Sequence, residues 1–114
     1  MRVGRIPYLN SEPFYFGLEG HEHHDFVPRA LGRALEAGDV DAGPLSLVDF
    51  FRLEPALVAL PLGIATSGPA QSVILFSDRP PKELGGAVIG VTDETSTSVQ
   101  ILRLLLAGKY EVSP

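Results

Sequence analysis

Four consecutive hydroxyl residues, Thr95-Ser96-Thr97-Ser98, open a stretch with helical apolar spacing. Their O–H groups, with the free N–H groups of a helix start, can hold a carboxylate or a phosphate. They can equally do no more than cap the helix, which needs only one of them. A second polar set, Tyr8-Leu9-Asn10-Ser11, follows the first apolar run. Asn10 and Ser11 are suited either to capping or to contacting a ligand. Ser67 and Ser72 flank Gly68-Pro69, as a hinge-like crossing or as a plain turn. Ser46 closes the turn Gly43-Pro44-Leu45-Ser46. All four segments lack Lys, Arg and His. An anion bound there would rest on N–H groups, hydroxyls and helix dipoles.

Other chemistries find less support. His21-Glu22-His23-His24-Asp25 contains every histidine of the chain. It reads as a solvated turn, whereas a catalytic zinc site takes three ligands on a rigid scaffold; no metal is expected. A serine hydrolase would need its base from that same turn. Neither a G-x-S-x-G elbow nor a P-loop lysine motif is present. No G-x-G-x-x-G follows the first strand, which argues against a dinucleotide cofactor. Asp93-Glu94 is read as a pair of acids favoured by a helix start.

Short elements must position these residues. Val3–Ile6 predicts a strand stopped by Pro7, and Pro13 to Leu18 a short helix. Phe26-Val27 allows only a brief second strand. Arg29–Ala37 reads as a helix, with Ala30, Leu31, Ala34 and Leu35 inward and Gly38 closing it. Val40–Gly43 predicts a third strand, and Pro44–Leu53 a helix with Leu45, Val48 and Phe51 inward. Ala56–Leu60, Ser72–Phe76 and Ala87–Val91 predict further strands, and Val99 to Leu106 the apolar face of a last helix. This alternation argues for an α/β fold with a mostly parallel sheet. In such sheets ligands sit beyond the carboxyl ends of the strands, where the four polar segments fall. The pattern changes near Asp78, so residues 1–77 are expected to form a first lobe and 78–114 the start of a second.

Composition narrows the class. The 114 residues are 45% hydrophobic and 20% charged, the profile of a globular core. Nine Lys+Arg against fourteen Asp+Glu give a net charge of −5 without a basic stripe, which argues against a nucleic-acid partner. The longest nearly apolar run, Ala56 to Ala65, holds ten residues and Pro61. A membrane span needs roughly 20, so no membrane partner is expected. The absence of cysteine excludes disulfides and thiolate chemistry. With no apolar signal core at the N-terminus, the expected location is cytoplasmic.

Taken in order, Arg5-Ile6-Pro7-Tyr8-Leu9-Asn10-Ser11, Asp41-Ala42-Gly43-Pro44-Leu45-Ser46, Ser67-Gly68-Pro69 with Ser72-Val73-Ile74-Leu75-Phe76-Ser77, and Thr95-Ser96-Thr97-Ser98 with Leu102-Arg103 form one series. That series resembles the N-terminal part of the chorismate dehydratases of the futalosine route to menaquinone. The resemblance implies a type II periplasmic-binding-protein-like fold, two α/β lobes around a cleft, no cofactor and no metal. It implies removal of water from chorismate, a dicarboxylate, to give 3-[(1-carboxyvinyl)oxy]benzoate. Asn10 would then orient the reacting centre, and Ser72 would hydrogen-bond the substrate or its leaving hydroxyl. Thr95, Ser96, Thr97 and Ser98 would hold one carboxylate, with Tyr8 and Ser46 shaping the pocket and Ser11 and Ser67 contacting substrate. Family members run to more than twice this length, so the chain is expected to be a fragment lacking most of the second lobe. Two other readings stay open: a non-catalytic carboxylate-binding protein of the same fold, and a fragment that pairs, as a homo-oligomer or with another chain, through exposed strand edges.

Overall fold

The computed structural model describes residues 1–113. They fall into two compact units, Met1–Ala65 and a second that begins at Thr66.

In the first unit, strand β1 (Arg2–Arg5) pairs in parallel with β2 (Glu22–Asp25), Arg2 opposite Glu22 and Arg5 opposite Asp25. Glu22–Asp25 of the histidine run is therefore a strand and not the turn its polarity suggests, although it stays largely exposed to solvent. Cross-strand charge accounts for this. The Arg5 guanidinium donates two hydrogen bonds to Asp25, at 2.7 and 3.0 Å, between directly opposed residues, and opposite charges so placed favour pairing. On the other side of β1 the expected third strand shrinks to one parallel bridge, Val3 to Ala42. Gly4 N–H donates to Ala42 O at 2.7 Å, and Asp41 N–H to Arg2 O at 2.8 Å.

Between the strands, Leu9–Tyr15 forms a 3-10 turn where a helix from Pro13 was expected. Tyr15 anchors it by accepting the Ile6 N–H on its phenolic oxygen at 2.9 Å. Helix α1 (Pro28–Ala37) starts on Pro28, whose fixed φ suits a first helical position. Gly38 ends it at φ 74°, with Gly38 N–H on Leu35 O and Asp39 N–H on Ala34 O. That pair of bonds is a Schellman stop, which needs the left-handed glycine. Ile6, Leu31, Ala34 and Val40 make the core, with Phe26 and Leu35 against it. Leu31 is fully buried. It lies where Gly4 and Gly43 have no side chain: a Cβ at Gly4 would overlap Leu31 Cδ1, and one at Gly43 would stand 2.8 Å from the Gly4 carbonyl oxygen.

Helix α2 (Leu47–Leu53) is shorter than expected and turned. Phe51, read as inward, is 65% exposed, and the buried residue is Asp49. Ser46 caps the helix by accepting the Asp49 N–H at 3.1 Å and donating its O–H to the Asp49 carboxylate at 2.7 Å. That carboxylate packs on α1 at Gly32, where an added Cβ would come within 3.1 Å of Asp49 Cγ. Arg52 joins the same two helices, 2.8 Å from Glu36 and 3.6 Å from Asp49.

The second unit holds a 3-10 turn at Pro81–Glu83 and helix α3 (Thr97–Gly108), with Leu84 and Leu106 buried. Its chain end folds back, Val112 N–H on Leu106 O and Gly86 N–H on Ser113 O. None of the strands expected at 56–60, 72–76 and 87–91 forms among the described residues. Each segment is apolar enough for a strand, but a strand exists only when a neighbour takes its N–H and C=O groups. The change of pattern at Asp78 lies inside the second unit.

One ion pair sets an acid limit on the first unit. Asp41 accepts from the Arg2 backbone N–H at 2.7 Å and from its guanidinium at 2.6 Å. The guanidinium bond, then the backbone bond, lowers the Asp41 carboxyl from its ordinary 3.8 to about 2. A carboxyl lowered by folding stabilises the native state above its unfolded value and loses that contribution as pH falls through the folded one. Between about pH 4 and pH 2, thermal melts of the wild-type chain should therefore fall more steeply than those of Asp41→Asn. Parallel curves would remove Asp41 from the acid limb.

Candidate functional site

The predicted site residues divide between the two units. Tyr8, Asn10, Ser11 and Ser46 lie in the first; Ser67, Ser72 and Thr95 to Ser98 lie in the second.

In the first unit the loop after β1 leads straight into the 3-10 turn, and Ser11 N–H closes on Tyr8 O at 2.8 Å. Ser11 is buried, while Tyr8 and Asn10 are exposed. The turn carries no side-chain cap, so neither Asn10 nor Ser11 is used as one. The Asn10 amide makes no hydrogen bond among the described residues, and both its donor and its acceptor face water or a ligand. Ser46 stands differently. Both its O–H and one lone pair go to Asp49, so its observed work is to start α2. Capping serines are worth about 1 kcal/mol. Asp49 escaped the sequence reading, yet Ser-x-x-Asp before an apolar run is a known helix-start spacing and would have marked it.

In the second unit Thr95 to Ser98 sit at the start of α3, all half-buried. Here capping fails as an explanation of the hydroxyls. Ser96 is the residue before the helix, and its side chain makes no cap bond. The Thr97 hydroxyl is buried with no hydrogen-bond partner among the described residues. A buried polar atom without a partner costs about 1–3 kcal/mol, and the first N–H groups of a helix lack partners as well. Donors thus gather where the helix dipole is positive, which is an arrangement fit for a carboxylate. Ser67 and Ser72 lie in exposed chain outside any helix or strand.

A separate open depression of about 290 Å³ in the first unit is lined by Arg5, Glu12, Tyr15, Phe16, Glu19 and His23. It contains none of the predicted residues. Its charged groups are largely occupied: Arg5 by Asp25, Glu19 by the Gly17 N–H, and the His23 ring by Leu18 O. No group of three or more His, Asp or Glu among the described residues is placed to hold a metal ion. No helix among them is long and apolar enough to cross a membrane.

A family model described as menaquinone biosynthesis matches residues 1–114. The chain is also similar to a chorismate dehydratase of Thermus thermophilus, 33% identical over 107 residues. That match covers 91% of this chain and 39% of the relative, so the chain spans well under half the relative's length.

Proposed function

The chain belongs to the menaquinone biosynthesis family, and from that premise we propose that it is the N-terminal part of a chorismate dehydratase. The start of α3 carries the reading, because Ser96 does not cap the helix and the Thr97 hydroxyl has no partner among the described residues, which leaves donors for a carboxylate. The dehydratase relative supports it.

The reaction needs little from the protein. A ring proton and the ring hydroxyl leave chorismate as one water, and the ring becomes aromatic, giving 3-[(1-carboxyvinyl)oxy]benzoate. Aromatisation drives the step, so holding the ring, accepting one proton and assisting the departing hydroxide suffice. The Thr95–Ser98 start of α3 holds one substrate carboxylate. Asn10 orients the reacting centre through its free amide, and Ser72 hydrogen-bonds the leaving hydroxyl. A carboxylate of the substrate itself takes the proton, in keeping with the lack of Lys, Arg and His in the polar segments. The fold expected with this chemistry is the two-lobed, periplasmic-binding-protein-like one.

The test is mass-spectrometric detection of the enolpyruvyl benzoate from chorismate, with this chain and with the chain fused to the portion of the relative outside the match. Product from either form supports dehydration. Chorismate binding without product leaves a carboxylate-binding protein. Within that assay, Thr97→Val is expected to weaken chorismate binding about tenfold, the loss of one hydrogen bond to a charged group. Its melting temperature should hold or rise, because an isosteric methyl replaces an unpartnered hydroxyl. Unchanged binding would return these residues to an ordinary helix start.

A further inference from the structure

Ile6 follows β1 and seats its side chain in the core with Leu31 and Val40. Both of its backbone groups hold the chain that comes next. Ile6 O accepts the Tyr8 N–H at 2.7 Å, and Tyr8 O accepts the Ser11 N–H at 2.8 Å. Ile6 N–H goes to the phenolic oxygen of Tyr15 at 2.9 Å, a bond between buried residues nine apart in the chain. The loop from 6 to 15 is thus closed on one core residue, with Asn10 between its ends. Pro7 and Pro13 each fix a φ within it, and buried Ser11 seats its middle. Tyr15 is braced in turn. Its ring meets the His23 ring of β2 edge to face, with centroids 6.3 Å apart and planes at 81°, and the His23 ring hydrogen-bonds Leu18 O at 2.8 Å. Burial pushes the Tyr15 phenol above its ordinary value, so it stays uncharged at neutral pH.

Asn10 is exposed and caps nothing, so its aim comes from the backbone beneath it. We propose that Tyr15 is the positioning residue of Asn10: its hydroxyl, by holding the Ile6 N–H, fixes the turn that carries the Asn10 amide. Tyr15 does so without touching substrate, and its part in turnover rests on the role given to Asn10 above. Packing alone would be served by phenylalanine. The hydroxyl adds the bond that sets where the turn lies against β1.

Tyr15→Phe keeps the ring and leaves the Ile6 N–H without its acceptor. Two measurements on it test the proposal. By NMR relaxation, order parameters of the Leu9, Asn10 and Ser11 amides should fall from about 0.85 to below about 0.6, while those of α1 hold. No fall would overturn the proposal, whatever the activity. The kinetics use whichever of the two forms above converts chorismate. There kcat should drop about tenfold, since misplacement by about 1 Å can cost 100-fold, and KM should stay within about twofold. In an Asn10→Ala background the same change should cost less than about twofold, because a residue acting through Asn10 has nothing left to position. Gly38→Ala, which strains the α1 stop at φ 74°, should lower the melting temperature without lowering kcat. An equal loss in both Asn10 backgrounds, or a matching loss in Gly38→Ala, would overturn the proposal, since Tyr15 would then serve stability alone. A loosened Asn10 in a protein that converts no chorismate in either form would uphold the tether and sink the dehydratase reading instead.

Discussion

Asn10→Ala is expected to cut conversion of chorismate about 100-fold, with the melting temperature of the chain unmoved. The magnitude is that of deleting one hydrogen-bond group aimed at the reacting atoms, about 2.7 kcal/mol or more. The lack of any stability change follows from the structure: Asn10 is exposed, caps nothing and bonds to nothing among the described residues. Surface substitutions of that kind stay within about ±0.5 kcal/mol. Turnover at saturating chorismate, measured beside a thermal melt, checks both halves. Full turnover would remove Asn10 from the site. A lost melt would show that the loop after β1 depends on it.

Leu31→Ala should be the most damaging change to the first unit. Leu31 is fully buried and meets Ile6, Ala34 and Val40 in the core. Removing its branched end leaves a cavity that β1 and Gly43 cannot fill, because neither Gly4 nor Gly43 carries a side chain to move in. Such truncations cost about 3–5 kcal/mol. Small domains hold only about 5–15 kcal/mol in all, so the variant should melt far below wild type, or be unfolded at 25 °C. Denaturant titration followed by circular dichroism measures the loss. A shift of less than about 1 kcal/mol would mean that the core is centred elsewhere.

What the sequence made legible follows local rules. The β1 strand, the Gly38 stop, the inward face of α1 and the helix after Ser98 all rest on periodicity or on one residue with a special backbone preference. What it hid depends on partners. The histidine run became β2 because of charges twenty residues away, and no window of apolar spacing contains that information. Helix α2 turned Phe51 outward because Ser46 and Asp49 locked its start against Gly32. Ala56–Leu60 and Ser72–Phe76 have strand composition without a strand, since pairing belongs to two segments and composition to one. At the start of α3 the order of the hydroxyls was readable, but that Ser96 leaves the helix uncapped and that the Thr97 hydroxyl is buried without a partner among the described residues are set by the fold around them. The resemblance gives Ser46 only a pocket role, whereas its hydroxyl is committed to Asp49, a duty that the Ser-x-x-Asp spacing signals.

The two glycines around Leu31 also constrain how this sequence can drift. A methyl at position 4 is blocked by a leucine at 31, one at 43 is blocked first by the Gly4 carbonyl oxygen, and a smaller residue at 31 leaves a hole while 4 stays glycine. Each single step descends, yet a paired step, bulk added to β1 as it is taken from α1, can conserve volume. Among descendants of this chain, positions 4 and 31 should therefore change together or not at all, while 43, held by the Gly4 carbonyl oxygen, should stay glycine. Their joint pattern would record the packing distance between β1 and α1 more faithfully than any one of them.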